Sequence, residues 1–160
     1  IRLLNPGNWI KYYLLAVEAK PINAIIWGAA ATFFLQSSSA FMVLLLALAK
    51  ENLVSLPGAI LLLWGADIGT CATSLLAALH GNKIAKLVAL SHLFFNVSSA
   101  LFLYPLFNYF VFFVSQTAED TISQIVNAHF IYNLLGALIF LPPLTFLAPY
   151  LDRLKKVDEK

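Results

Sequence analysis

Hydrophobic residues fill most of this chain in long stretches, roughly 22–49, 53–79, 84–114 and 125–151, which polar residues interrupt at only a few points. Each stretch exceeds the ~20 residues that one helical crossing of a bilayer needs. No period-2 alternation appears, so a membrane barrel is set aside. The pattern predicts an all-α polytopic membrane protein. The first two stretches are long enough, and interrupted enough, for each to be a broken helix or a re-entrant hairpin. Residues 1–20 mix Trp9, Tyr12 and Tyr13 with Arg2, Lys11, Glu18 and Lys20. That mixture predicts an interfacial helix with an aromatic belt, ending before Pro21. Residues 21–151 are then membrane-embedded and 152–160 form a solvated tail.

The most informative interruption is Gln36-Ser37-Ser38-Ser39, inside the first apolar run. Four consecutive polar side chains at about 100° each sweep roughly 300° around a helix. Such a patch has no lipid-facing side to spare, so the backbone breaks there or every face meets protein or water. Ser38 or Ser39 is placed to cap a half-helix over 40–49. The second interruption is Gly65-Ala66-Asp67-Ile68-Gly69-Thr70. Its two glycines lower the cost of a non-helical backbone. Asp67 is an ionisable group at membrane depth, which marks a functional position. Thr70 is expected to cap a following half-helix, 71–79.

Further along, Pro105 is expected to end or kink the third run, leaving a short aromatic segment over 106–114, and Pro142-Pro143 to bend or stop the last run near Leu141. Loops are expected at 50–57, at 80–83 and, with Glu119 and Asp120, at 115–124. Arg153, Lys155, Lys156 and Lys160 assign the tail to the cytoplasm. One crossing back leaves Glu119 outside, and another returns Lys83 and Lys86 to the cytoplasm. Lys20 and Lys50 join them if both leading runs dip into the bilayer and return.

Composition agrees with membrane burial: 61% of residues are hydrophobic, 11% charged, and mean hydropathy is +0.82. A net charge of +2 without a basic, aromatic-interleaved patch gives no reason to expect nucleic-acid binding. The single cysteine, Cys71, has no intrachain disulfide partner and reads as a small packing residue. His92 and Asn96, and again His129 and Asn133, share a helical face at i and i+4. Lacking the H-E-x-x-H pattern, they make a poor zinc site and read as interhelical hydrogen-bonding residues. No G-x-S-x-G elbow surrounds any serine, so hydrolase chemistry is not expected. The chain has no initiator Met and reads as part of something longer.

Two half-helix N-termini aimed at mid-bilayer would make an anion site. Hydroxyls, carbonyls and the Asp67 carboxylate would offer oxygens to a small hard cation, which is the broken-helix logic of secondary transporters. Asn96 is a further candidate for the ion pocket.

The ordered trio Q-S-S-S at 36–39, G-A-D-I-G-T at 65–70 and H-L-F-F-N at 92–96 resembles the type II sodium–phosphate cotransporter family, in its bacterial branch, over roughly residues 28–147. The resemblance implies two inverted repeats, each with a Q-S-S-S and a G-x-N-I-G-T segment, jointly forming one sodium and phosphate site. By position, Gln36, Ser37 and Ser38 match phosphate-contacting residues, with Ser39 adjacent, and Thr70 matches a sodium-associated residue. Asp67 stands where the family usually has Asn. Ionised, it would repel phosphate, attract sodium or make transport proton-sensitive. Ala66 lacks a hydroxyl that some relatives carry.

Only one Q-S-S-S is present, so residues 1–160 resemble a single repeat, the second. Its complement would be a preceding region, a separate chain or an inverted copy of this one. The resemblance implies sodium-coupled phosphate transport by alternating access in a cell (inner) membrane, with Na+ co-transported, no organic cofactor and no enzymatic activity. The expected sodium ligands are Asp67, Thr70 and Asn96, supported by Gly65, Gly69, His92, His129 and Asn133. Two alternatives stand beside it: a non-transporting assembly subunit docking through small residues at 28–31, and a carrier of another small oxyanion.

Overall fold

The computed structural model describes Tyr12 and residues 20–158, with side chains through residue 142. Every regular element among the described residues is helical: α1 (Pro21–Leu35), α2 (Ser38–Lys50), α3 (Leu56–Ala78), α4 (Lys83–Leu103), α5 (Phe107–Ser115) and α6 (Thr121–Asp158). A 3-10 turn at Tyr104–Leu106 joins α4 to α5 and carries Pro105, which kinks the run as expected. The interfacial helix and aromatic belt expected over 1–20 lie outside the described residues, apart from an exposed Tyr12. The tail's side chains lie outside them too.

Three segments are long and apolar enough to cross a membrane: Leu56–Ala78, Lys83–Ser115 and Thr121–Pro142. Helices α1 and α2, of 15 and 13 residues, are about 22 and 20 Å long at the usual rise. Neither reaches across a hydrocarbon core of ~30 Å. Instead they form a hairpin, as the packing against α3 shows. A methyl at Gly65 would collide with the Ile25 carbonyl, and one at Gly69 with the Ala29 carbonyl. The contact advances in the same sense along both helices, so α1 and α3 run parallel. Residues 51–55 tie the end of α2 to the start of α3, so α2 must run back along α1. The link is tight: Asn52 is left-handed (φ 54), and Leu53 and Asn52 donate to the Leu48 and Ala49 carbonyls at 2.9 and 3.0 Å. This is a Schellman ending.

The second apolar run departs from expectation. α3 winds without interruption from Leu56 to Ala78, straight through Gly65–Thr70. Its glycines serve close approach to α1 rather than a break, and Thr70 caps nothing. Its hydroxyl donates back to the Ala66 carbonyl at 2.9 Å. Because this run is one unbroken helix of spanning length rather than a hairpin, the arrangement in which both leading runs turn back does not form. A recess lined by Ala49, Val54, Ser55 and Thr121 puts the 51–55 and 116–120 loops at one end of the bundle. Lys50 therefore lies with Glu119 and Asp120, and Lys83 and Lys86 lie at the other end.

Pro142-Pro143 also departs from expectation, since α6 continues through the pair to Asp158. Prolines at 142 and 143 supply no N–H to the Leu138 and Ile139 carbonyls, and winding resumes beyond them. At the centre of the bundle Trp64 of α3 stacks on Tyr132 of α6 (5.3 Å, 22°). It also meets Phe107 and Phe110 edge-on at 5.6 and 5.7 Å. Each such pair adds about 0.5–1.5 kcal/mol beyond its buried area, fixing α5 and α6 against α3.

Candidate functional site

The break in the first apolar run is a built structure. Gln36 adopts the left-handed conformation (φ 51) and its N–H donates to the Thr32 carbonyl at 2.8 Å, ending α1. Ser37 is extended, and its hydroxyl oxygen accepts from the Ala40 N–H at 3.2 Å, starting α2. The cap is thus Ser37, not Ser38 or Ser39. Extended backbone suits an N-cap, and Ser37 is the residue that has it.

Within a few residues the chain presents the free carbonyls ending one helix and the free amides beginning the next. The first favour a cation and the second an anion. Gln36 and Ser39 are exposed, while Ser37 and Ser38 are half-buried. Exposed apolar side chains flank them along the chain: Phe33, Phe34, Leu35, Val43 and Leu44.

The second group of predicted residues gathers one level away, where α3 is clasped by two equivalent clamps. From α6, His129 Nε2 lies 3.1 Å from Asp67 Oδ1, while the Asn133 amide donates to Asp67 Oδ2 and to the His129 carbonyl, both at 3.1 Å. From α4, His92 Nδ1 lies 3.4 Å from Ser74 Oγ. The Asn96 amide donates to Cys71 Sγ and to the His92 carbonyl, both at 3.2 Å. The i, i+4 spacing explains both. One turn of helix lets the Asn bond its own His carbonyl and still reach the neighbour. Tyr132 completes the layer, its hydroxyl donating to the Asn96 carbonyl at 3.3 Å.

Asp67 and Asn96 are buried, and Thr70 is half-buried beside them. Among the described residues no hydrogen bond joins Gln36–Ser39 to Asp67, Thr70 or Asn96, so the structure forms two polar groups rather than one. Gly65 and Gly69 carry the close approach of α1, and α1's buried stripe Ala24, Gly28, Thr32 presses on the same helix.

Sequence reasoning missed three participants. Cys71 accepts a hydrogen bond, Ser74 meets His92, and Thr32 is a buried hydroxyl one turn before the break. Residue order held a signal for the first two, since Asp67, Cys71 and Ser74 lie at i, i+4 and i+7 on one face of α3. For Thr32 there was only its nearness to Gln36. Among the described residues, no group of three or more His, Cys, Asp or Glu could hold a metal ion.

A family model described as Na+/Pi-cotransporter matches residues 5–137. An uncharacterized protein from Bacillus subtilis, YqeW, is 32% identical over 139 residues, covering 87% of this chain and 41% of that relative. The sodium-dependent phosphate transport proteins 2B of Bos taurus and 2A of Oryctolagus cuniculus are each 37% identical over 105 residues. Those alignments cover 63% of this chain and 14% and 15% of the relatives. The chain therefore spans under half the length of the first of these relatives and about a seventh of the other two. No solved structure matches it.

Proposed function

The chain belongs to the Na+/Pi-cotransporter family, and from that premise we propose that it forms one half of a membrane transporter carrying inorganic phosphate with sodium by alternating access. The observation that supports this reading most is the break at Gln36–Ser37. It is a pair of oppositely polarised helix ends inside a hairpin too short to cross the bilayer. In this reading the hairpin is re-entrant, and phosphate oxygens accept from Gln36, Ser37 and Ser38 and from the free amides opening α2, with Ser39 at the margin. The Asp67 carboxylate, the Thr70 hydroxyl and the Asn96 amide oxygen serve sodium. His129 and Asn133 hold the carboxylate, and His92 holds the neighbouring turn of α3. Each ion lowers the cost of burying the other's charge, so the two tighten one another.

Exposure of Gln36 and Ser39 on an otherwise apolar surface supports a complementary half, or a second copy, covering the break. The end carrying Lys83, Lys86 and the basic tail is cytoplasmic in this reading, within a cell (inner) membrane.

A docking subunit is the weaker reading. The small-residue stripe it would use is spent inside the chain, because Gly28 lies against the Leu62 backbone. The same helix ends would accept another small oxyanion, and competition by sulfate or a carboxylate measures that preference.

The decisive test is phosphate uptake into proteoliposomes under an inward sodium gradient. Ser38→Ala and Asp67→Ala are expected to lower uptake about tenfold or more each, the loss of one good polar contact. Uptake unchanged in both removes these assignments.

A further inference from the structure

We infer that Thr32 is a sodium ligand, its hydroxyl and the free carbonyls ending α1 forming the cation side of the Gln36 break. The inference rests on the sodium part of the reading above and adds to it a second group of oxygens, apart from Asp67, Thr70 and Asn96.

Hydroxyls in apolar helices ordinarily satisfy themselves by bonding back to their own backbone. Thr70, Thr73 and Ser74 of α3 do so, donating to the Ala66, Thr70 and Cys71 carbonyls at 2.9, 2.8 and 2.8 Å. Thr32 does not. The residue is 1% exposed and its Oγ1 has no hydrogen-bond partner. An unsatisfied buried hydroxyl is unfavourable, so a ligand at this point would remove a penalty that the chain alone leaves standing.

Two other buried polar atoms among the described residues share this condition, Trp64 Nε1 and Ser99 Oγ. Indole nitrogen is a donor only and offers a cation nothing. Ser99 sits where a methyl on Gly136 would lie 2.8 Å from its Oγ, between α4 and α6. There α6 runs unbroken, and α4 passes directly into the 3-10 turn at Tyr104–Leu106, the Tyr104 N–H donating to the Ala100 carbonyl, so that only the Leu101 carbonyl loses its donor, to Pro105.

Thr32 stands where a helix stops outright, at the left-handed Gln36. Its own carbonyl is taken by the Gln36 N–H, and the carbonyls of Phe33, Phe34 and Leu35 follow with no helical donor left for them. The C-terminal pole of α1 favours positive charge at the same place. Thr32 also extends the stripe that packs α1 on α3, one turn beyond the contact of Ala29 with Gly69, whose neighbour is Thr70. The donors assembled are neutral oxygens. Such a set suits a hard monovalent cation, whereas divalent ions call for carboxylates or imidazoles. Sodium at the end of α1 and phosphate at the start of α2 would then face each other across Gln36.

The test compares Thr32→Val, which keeps the shape and removes the oxygen, with Thr32→Ser, which keeps the oxygen. It uses the complete natural protein and two readouts, binding of radioactive sodium without phosphate and the sodium dependence of phosphate uptake. Thr32→Val is expected to raise the half-saturating sodium concentration about tenfold in both, with Thr32→Ser within about threefold of the unaltered protein. A sodium curve for Thr32→Val that overlays the unaltered one overturns the inference, as does equal impairment of the serine variant. Should the valine variant fail to fold, Thr32→Cys puts soft sulfur in place of hard oxygen and carries the same expectation and refutation. Sodium binding that responds to Thr32→Val without any phosphate uptake removes the transport reading and leaves the ligand. Phosphate uptake with an unshifted sodium curve removes the ligand and leaves transport.

Discussion

Two polar interruptions of one apolar chain wind in opposite ways. At Gln36–Ser39 the helix stops, turns through a left-handed residue and restarts under a serine cap. At Gly65–Thr70, with two glycines and an ionisable side chain, it runs on. The first break is made locally, by a run of polar residues with no single face and a hydroxyl three positions before the amide it caps. The second site is held helical by its neighbours. α1 lies against both glycines, α6 satisfies Asp67, and the hydroxyls bond to their own helix. Glycine in this setting is a means of close approach, and its flexibility is not used.

The difference can be broken most violently at Gly65. Gly65→Val drives a branched side chain into the Ile25 backbone, which cannot give way as a side-chain tip would. It is expected to cost about 3 kcal/mol or more. Thermal unfolding in detergent, or simple loss of folded material, reads this. A variant as stable as the parent would mean that the two helices do not touch there.

Removing the tertiary support of the second site comes next. Asp67→Ala leaves His129 and Asn133 facing an empty position and is expected to cost about 2 kcal/mol. A double-mutant cycle with His129→Ala should show clear non-additivity, because the pair shares one hydrogen bond. Strict additivity would separate them.

The caps sharpen the comparison at smaller scale. Ser37→Ala should cost about 1 kcal/mol, whereas Thr70→Val, which removes no cap, should stay within about 0.5 kcal/mol. Equal effects would mean that the two interruptions are alike after all.

The smallest expected effect lies outside the spans, at the start of α6. The Ser123 N–H donates to Asp120 Oδ1 at 2.8 Å, and that bond holds the Asp120 carboxyl below its ordinary value of 3.8. A lowered value means stability that is present above the unfolded value and lost as pH falls through the folded one. Hydrogen exchange at Ser123 should accordingly quicken, relative to its intrinsic rate, only as pH drops below about 3.8. Asp120→Asn should flatten that acid response, and an identical response in the variant would remove the cap.

Much of the fold could be read from residue order because its causes are short-ranged. Span lengths, the Pro105 kink and the loops around 51–55 and 79–82 follow from hydrophobic run length and from proline and glycine chemistry. The His/Asn spacing also pointed to hydrogen bonding between helices, and both motifs do reach α3. What residue order obscured was the sense of the glycines. A glycine that bends a backbone and one that admits a neighbouring helix look the same in a sequence. Pro142-Pro143 misled similarly, since a proline pair removes two donors whether or not winding resumes.

By itself, then, the sequence determined a helical membrane protein whose first apolar run is either broken or enclosed at Gln36–Ser39. The hydrophobic drive to enter a bilayer and the capping of a helix end each act within a few residues. Only the tertiary structure decided that α3 stays whole, that Asp67 belongs to residues 62 and 66 positions away on α6, and that Thr32 is buried with its hydroxyl unanswered. Those outcomes depend on which surfaces meet, and distance along the chain carries no record of that.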